Sequence, residues 1–180
     1  YIILFFLLFF IHDAKASYKQ QIIFKLEKTK NSSFNFEQNI NNKIEKGKCT
    51  IKYPKKIYCK YDLSNNKVLV SNGKSIVIKT DIGSYYRYSL EETPLNLILD
   101  KKFLLKNINS MDENIIDEEL IKYSLIREGL KIDIFFDKNT FNVAGWQTLD
   151  IYQNISLTRI YNLIINQEIN RDIFVLPKPN

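Results

Sequence analysis

Imidazole is almost missing from this chain. The 180 residues include one histidine, His12, with two cysteines, one methionine, one tryptophan and five glycines. His12 falls in an N-terminal stretch that the sequence marks for removal, so the remaining protein has no Ser-His-Asp triad, Cys-His dyad or histidine-based metal site. Glycine is equally scarce, and no phosphate-cradling loop, nucleophile elbow or metal-ligand cluster occurs; no cofactor or metal is expected. Arginine is rare too, with four against 22 lysines at a net charge of +6. Those lysines are spread along the sequence rather than interleaved with aromatics in a stripe, so no nucleic-acid partner is expected. The charge implies at most a mild attraction to anionic membranes or acidic partners.

What is present begins with an unbroken apolar run, Tyr1 to Ile11, followed by His12, Asp13 and Ala14-Lys15-Ala16. That is the pattern of a secretory apolar region with a small-residue cleavage site. A membrane-spanning helix needs roughly twenty apolar residues, so this run is too short to serve as one. Cleavage is expected after Ala16, with export of the remainder. The basic segment and initiating Met that should precede the run are expected upstream of Tyr1. The remainder, 17–180, suits one domain, since domains commonly run about 100 to 200 residues.

Along that remainder, Ile22, Ile23 and Leu26 recur at helical spacing between Tyr18 and Lys30, with Asn31-Ser32-Ser33 ending the helix. The period then becomes two. Phe34 and Phe36, then Cys49, Ile51 and Tyr53, then Ile57, Cys59 and Tyr61 alternate with polar residues, as half-buried strands do. Asn72-Gly73 between two apolar runs predicts a hairpin with a type I′ turn. Thr93-Pro94 offers an N-cap followed by proline for a short apolar helix through Leu95, Leu97, Ile98 and Leu99. The acidic stretch Met111 to Glu119 reads as a weak helix or a loop. Strands resume over Leu120 to Arg127, Leu130 to Asp137, Phe141 to Asp150, Ile155 to Leu163 and Asp172 to Leu176. The fold class is therefore mainly β: an antiparallel, twisted sheet of about ten or eleven strands with two helical insertions.

One apolar sheet face must be covered by closure, by a second sheet or by helices. Two short helices look too small for ten strands. The pattern leaves two outcomes open: an apolar cavity under a helical lid, or a core filled by the 12 phenylalanines and 11 tyrosines. A carboxylate-dependent hydrolase would need two acids facing each other across a cleft. Asp133 and Asp137 read as solvent-facing charges on one strand, and Glu91-Glu92 and Glu118-Glu119 are adjacent pairs that diverge if extended. Cys49 and Cys59 share the inward parity of consecutive strands; a cross-strand disulfide is sterically conceivable, but with Pro54 near the turn two buried thiols are the favoured expectation.

Several segments, in order, resemble the periplasmic outer-membrane lipoprotein carriers of the LolA family, alphaproteobacterial type. Phe34-Asn35-Phe36-Glu37-Gln38 is similar to the family's early F-x-Q strand. The stretch Gly47 to Pro54 is similar to its G-x-x-x-x-[KR]-R-P hairpin, Val70-Ser71-Asn72-Gly73-Lys74 to its V-S-[DN]-G-K turn, and Arg87 to Leu95 to its R-Y-P-L-x-x-T-P-L segment. Trp146, Gln147 and Asp150, then Phe174 to Pro177, resemble the closing strands. The resemblance implies an unclosed antiparallel β-barrel with a helical lid, whose cavity shields acyl chains while acylated lipoproteins cross the periplasm. It implies cargo received from an inner-membrane ABC release complex (LolCDE-like) and passed to an outer-membrane acceptor (LolB-like), by a carrier that is no enzyme and works as a monomer. A rival is a related envelope protein that binds or senses another amphiphile, such as a glycolipid. The acceptor shares the fold but is anchored through a lipidated cysteine after its signal, where this chain has Ser17.

Strand parity and motif position place Ile51, Tyr53, Ile57, Cys59 and Tyr61 on one cavity wall, with Leu95, Ile98 and Leu99 facing it from the lid. The resemblance also makes Ile57 a partner contact. Tyr53 stands where the family has an arginine that hydrogen-bonds lid carbonyls, and a phenol offers one donor against five. Cys59 replaces a bulkier family aromatic, which should enlarge the cavity.

Overall fold

The computed structural model describes residues 17–63, 65–127, 129–149 and 154–179. The leader expected over 1–16 lies outside the described residues. Helix α1 (Tyr18–Lys28) opens on a capping box: the Ser17 hydroxyl accepts from the Gln20 N–H, and the Gln20 side chain accepts from the Ser17 N–H. Its buried residues are Ile22 and Leu26, four apart and therefore on one face. The helix stops short of Lys30 because Thr29 is already extended. Asn31-Ser32-Ser33, read in sequence as a helix terminator, instead opens the first strand.

Eleven strands form one antiparallel sheet: β1 (Asn31–Ile40), β2 (Lys43–Lys52), β3 (Lys56–Tyr61), β4 (Val68–Asn72), β5 (Ser75–Lys79), β6 (Tyr85–Ser89), β7 (Glu113–Ile116), β8 (Leu120–Arg127), β9 (Leu130–Asp137), β10 (Val143–Leu149) and β11 (Ile155–Ile165). Their order is β6-β5-β4-β3-β2-β1-β11-β10-β9-β8-β7, so β6 and β7 are the free edges and the barrel is not closed. Every pairing joins sequence neighbours except β1 with β11, from Ser32 opposite Ile165 to Ile40 opposite Ser156. The chain leaves the sheet at β6 and returns at the opposite edge, β7. Between them run a 3-10 turn (Leu90–Glu92), α2 (Leu95–Leu99), α3 (Lys101–Asn107) and a second 3-10 turn (Ile108–Ser110).

This connection covers the concave face. Leu90, Leu97, Ile98 and Leu99 are at most 2 % exposed, in one cluster with Ile22 and Leu26 of α1 and Phe34, Ile51 and Ile57 of the sheet. The break between α2 and α3 falls at Asp100, whose carboxylate accepts from the Phe103 N–H as the cap of α3. Thr93 does not cap α2; its hydroxyl donates to the Leu90 carbonyl, closing the preceding turn.

Four expectations need correction. Asn72 and Gly73 do mark the β4–β5 turn, but only Gly73 has a positive φ (+100°), and the Asn72 side chain accepts from the Lys74 and Ser75 N–H groups. This is a side-chain-capped turn, not type I′. Within Met111 to Glu119 the structure has strand β7, paired with β8 from Glu113 opposite Tyr123, rather than a helix or loop alone. Asp172 to Leu176 is no strand: Arg171–Phe174 is a 3-10 turn touching β3 and β4. Phe174 is buried there, on the convex face where Val70 and Val77 sit opposite each other. The Lys79 ammonium donates to the Lys178 carbonyl and straps the tail down. Asp133, finally, is not solvent-facing but 7 % exposed; its carboxylate accepts from the Ser124 hydroxyl at 2.6 Å, directly across from it on β8.

Gly47 sits opposite Phe36, whose ring lies edge-on to Tyr61 with centroids 5.0 Å apart. A Cβ at position 47 would lie 2.2 Å from the Lys60 carbonyl oxygen and 2.8 Å from Phe36 Cε1. Gly47→Ala should therefore destabilise the protein by about 1–3 kcal/mol through overpacking against backbone, read as a lower urea midpoint at unchanged m value.

Candidate functional site

The inward residues of β1 to β5, followed row by row, leave a space that the helices do not fill. It is a cavity of about 630 Å³, within the range of roughly 300–1,000 Å³ seen for small-molecule sites. Phe36, Ile57, Leu69, Ile76 and the Cys49–Cys59 pair form its apolar wall. Pro94 and Leu95 bound it from the helical side, while Leu130 and Trp146 bound it from the second half of the sheet. Tyr88 and Lys131, both exposed, mark its rim. The phenylalanines and tyrosines thus do not fill the interior.

The two cysteines are joined. Cys49 and Cys59 are directly opposed on β2 and β3, with Cα atoms 4.1 Å apart, and form a disulfide. Two buried thiols were the sequence expectation; the register overturns it, because the β2–β3 turn keeps the pair face to face instead of diagonal.

At one end the cavity becomes polar. Gln38 Nε2 donates to Ser156 Oγ at 3.0 Å and to Thr158 Oγ1 at 3.4 Å, and Gln38 Oε1 accepts from the Tyr61 hydroxyl at 3.5 Å. Lys67 lies beside them, its ammonium 4.0 Å from the Tyr61 ring centroid and 2.6 Å from Glu45 Oε2. Burial first, and the Glu45 carboxylate second, push the Tyr61 phenol pKa well above its ordinary value, so Tyr61 stays a neutral donor.

Tyr53 takes a different place from the rest of its row. It lines a second, small cavity of about 30 Å³ beneath α1 and α2, with Leu26, Ile51, Phe34 and Ile98. Burial raises its pKa to about 12. Of the residues assigned to the wall, Ile57, Cys59 and Tyr61 border the large cavity, and Ile51 and Tyr53 the small one. Of those assigned to the lid, Leu95 borders the large cavity, Ile98 the small one, and Leu99 is fully buried in the core between. Ile57 is 1 % exposed, so a partner can reach it only if the helices part.

The donors that hold the helices down come from lysine. The Lys55 N–H donates to the Leu99 carbonyl at 3.0 Å, and the Lys55 ammonium pairs with Asp100 Oδ2 at 3.4 Å. The Lys55 carbonyl accepts in turn from Ser71 Oγ, which is fully buried and steadies the β2–β3 turn. Lys101 of α3 donates to the Thr29 and Glu27 carbonyls at 2.9 and 3.4 Å, where α1 ends, and stands 5.4 Å over the Tyr53 ring. Its pKa is lowered by burial, an effect that Glu27 partly offsets. Lys19 of α1 donates reciprocally to the Asn109 and Met111 carbonyls beyond α3. Helix C-terminal ends leave carbonyls unsatisfied and carry partial negative charge, which favours cations there. These attachments, like the polar end of the cavity, escaped sequence reasoning. Only the inverted polarity of β11, with Ser156 and Thr158 buried and Ile155 and Ile164 exposed, could have hinted at the latter.

Among the described residues no two carboxylates face each other across the large cavity. Among the described residues Glu92 is the one acid bordering the large cavity. Asp133 is occupied by Ser124, and Asp137 accepts from the Asn139 and Thr140 N–H groups in the β9–β10 turn.

A family model described as outer membrane lipoprotein carrier protein LolA matches residues 27–177. Among solved structures, the chain resembles a LolA superfamily protein from Nitrosomonas europaea at 9 % identity and a TM-score of 0.46, over 89 % of this chain and 99 % of that one. A domain from Vibrio parahaemolyticus, described as an outer membrane lipoprotein-sorting protein domain, matches at 7 % identity and 0.49, over 87 % and 94 %. MucB in the MucA/MucB complex of Pseudomonas aeruginosa matches at 8 % and 0.48, over 89 % and 60 %. No curated protein sequence matches the chain.

Two outcomes are expected. Replacing both cysteines by alanine removes a cross-link across ten residues of sequence, and should cost about 2–4 kcal/mol in urea unfolding. For Tyr53 the folded pKa lies above the unfolded one, near 10. Its contribution is therefore full below pH 10 and is lost as pH rises towards 12. Tyr53→Phe should lessen the alkaline loss of stability and delete a late-ionising phenol from the absorbance titration.

Proposed function

Since the chain belongs to the outer membrane lipoprotein carrier protein LolA family, we propose that it is a periplasmic chaperone that shields the acyl chains of lipoproteins and shuttles them from the inner to the outer membrane. The observation that carries this reading is the roofed apolar cavity of about 630 Å³. Carriage answers a physical need: exposing hydrocarbon to water costs about 0.8 kcal/mol per CH₂, so a chain of roughly fourteen carbons faces a cost near 11 kcal/mol. A soluble cavity removes that barrier without catalysis. The carrier would act as a single domain, 17–180, after loss of a leader ending at Ala16. Its partners would be an ABC release complex of the LolCDE type, which hydrolyses the ATP, and a LolB-like acceptor.

In this reading α2 and α3 are the lid and β1 to β5 the wall. The Lys55 and Lys101 contacts stand in for the arginine that Tyr53 replaces. They are polar and partly hydrated, with the Lys55 and Asp100 side chains 26 % and 21 % exposed. A lid held this way rests closed, and on lifting it gives up polar contacts that water can replace and hydrocarbon contacts that the acyl chains of a cargo can replace. Lifting it exposes Ile57 and the disulfide-bearing wall to cargo and partner together.

The deciding experiment is a release assay: the purified protein, added to inner-membrane spheroplasts, should bring lipoproteins into the soluble fraction. Lipoproteins that stay on the spheroplasts, with a glycolipid co-purifying instead, would reject the lipoprotein role. Gating is tested by Lys55→Cys with Asp100→Cys, positions brought together by the hydrogen bond from the Lys55 N–H to the Leu99 carbonyl at 3.0 Å. Oxidised, this variant should release no lipoprotein while oxidised wild type does; equal release by the locked protein would refute the moving lid.

A further inference from the structure

The residues of β11 that face the cavity are the reverse of what an apolar container needs. Ser156 and Thr158 are 5 % and 2 % exposed, while Ile155 and Ile164 of the same strand are 55 % and 57 % exposed. Both buried residues border the cavity, as does Thr148, which lies directly opposite Ser156 on β10. Gln38 donates its amide hydrogens to both hydroxyl oxygens, at 3.0 and 3.4 Å. With the Gln38 amide in this orientation each hydroxyl accepts, which leaves its own hydrogen available to an acceptor in the cavity. Two such donors side by side on an otherwise apolar cavity wall offer a bound ligand a place to hydrogen-bond that the rest of the wall does not.

We propose that Ser156 and Thr158 form a docking shelf for a neutral hydrogen-bond acceptor, the ester or amide carbonyl of an acylated ligand, and so fix which end of the ligand enters the cavity first. This rests on the carrier reading and adds an orientation to it. An anionic headgroup fits poorly. The nearby cation, Lys67, is already matched by Glu45 at 2.6 Å and by the Tyr61 ring. The Tyr61 hydroxyl is turned to Gln38. A carboxylate or phosphate would thus meet a compensated ion pair, whereas a carbonyl meets two ready donors.

Geometry sets the direction of the tails. On β1, Gln38 lies four residues beyond Phe34, the residue level with Cys49. At about 3.3 Å per residue the shelf is roughly 13 Å from the disulfide row. Between them run Phe36 and Tyr61, Leu69 lies in the disulfide row itself, and beyond lie Ile57 and Ile76. A ligand anchored by a carbonyl on the shelf can lay its hydrocarbon along that wall towards Pro94 and Leu95. The same carbonyl chemistry occurs in the diacylglyceryl group of a lipoprotein and in a free glycerolipid.

The test compares three probes on the folded full-length mature protein: pyrene, which has no acceptor, dioleoylglycerol, and a diacylglyceryl-cysteine peptide. Ser156→Ala with Thr158→Val keeps the shape and removes both donors. Binding of at least one ester probe should weaken roughly tenfold, while pyrene affinity changes by less than about twofold. Thr158→Ser on the wild-type background should retain ester affinity. The ester probe that shows the loss identifies the source of the carbonyl. Equal losses for all three probes, or no loss for either ester, would overturn the shelf while leaving the container intact. Failure of wild type to take up even pyrene would overturn the carrier reading and the shelf together.

Discussion

An apolar concave surface must be kept from water, and in this protein the surface is larger than its cover. The free edges β6 and β7 are never hydrogen-bonded to one another, so the sheet curves without closing. What covers it is the single connection between those edges together with α1. Three short helices bury Leu97, Ile98 and Leu99 against one region of the sheet and leave the rows from Ile57 to Leu69 facing space. The cavity is a direct outcome of that mismatch in area, because side chains pack to constant density only where facing surfaces meet.

The second constraint concerns how a cover can be attached without being fixed. The contacts between helices and sheet divide into buried hydrocarbon and a few lysine-to-carbonyl bonds at helix ends. Hydrocarbon contacts are non-directional and can be exchanged for contacts with a bound chain. Lysine bonds are directional and set where the helices rest. A phenol at position 53 therefore does not leave the helices unattached. Lys55 sits two residues further on and bonds the Leu99 carbonyl and Asp100, and Lys101 approaches from the helices themselves, using the Tyr53 ring as a platform.

Strand parity was legible in the sequence wherever one sheet face is wet, as it is for Phe34 and Phe36 or for Ile57 and Cys59. It failed where both faces are covered or polar residues turn inward. Asp133 lies between Ile132 and Ile134, all three buried, so alternation had nothing to report there. The Cys49–Cys59 bond depended on a register that the sequence around Pro54 left open between direct and diagonal. Phe174 looked like the apolar centre of a last strand, yet both faces of that segment could not be served by a sheet whose edges lie elsewhere, and it packs on the convex side instead. The lysine attachments and the Ser156–Thr158 shelf are invisible to periodicity because they are tertiary: each joins residues far apart in the chain.

One pairing in the sheet differs from all the others in kind. Strands β1 to β6 and β7 to β11 are two ladders of local hairpins, and they meet in the sheet only where β1 runs beside β11. Phe36, Leu69 and the cysteine pair belong to the first ladder, while Leu130, Trp146 and Thr158 belong to the second. Neither half encloses a volume by itself, so the container is a property of the seam. Damage elsewhere would dent a wall, but parting β1 from β11 would turn a vessel into two open shells.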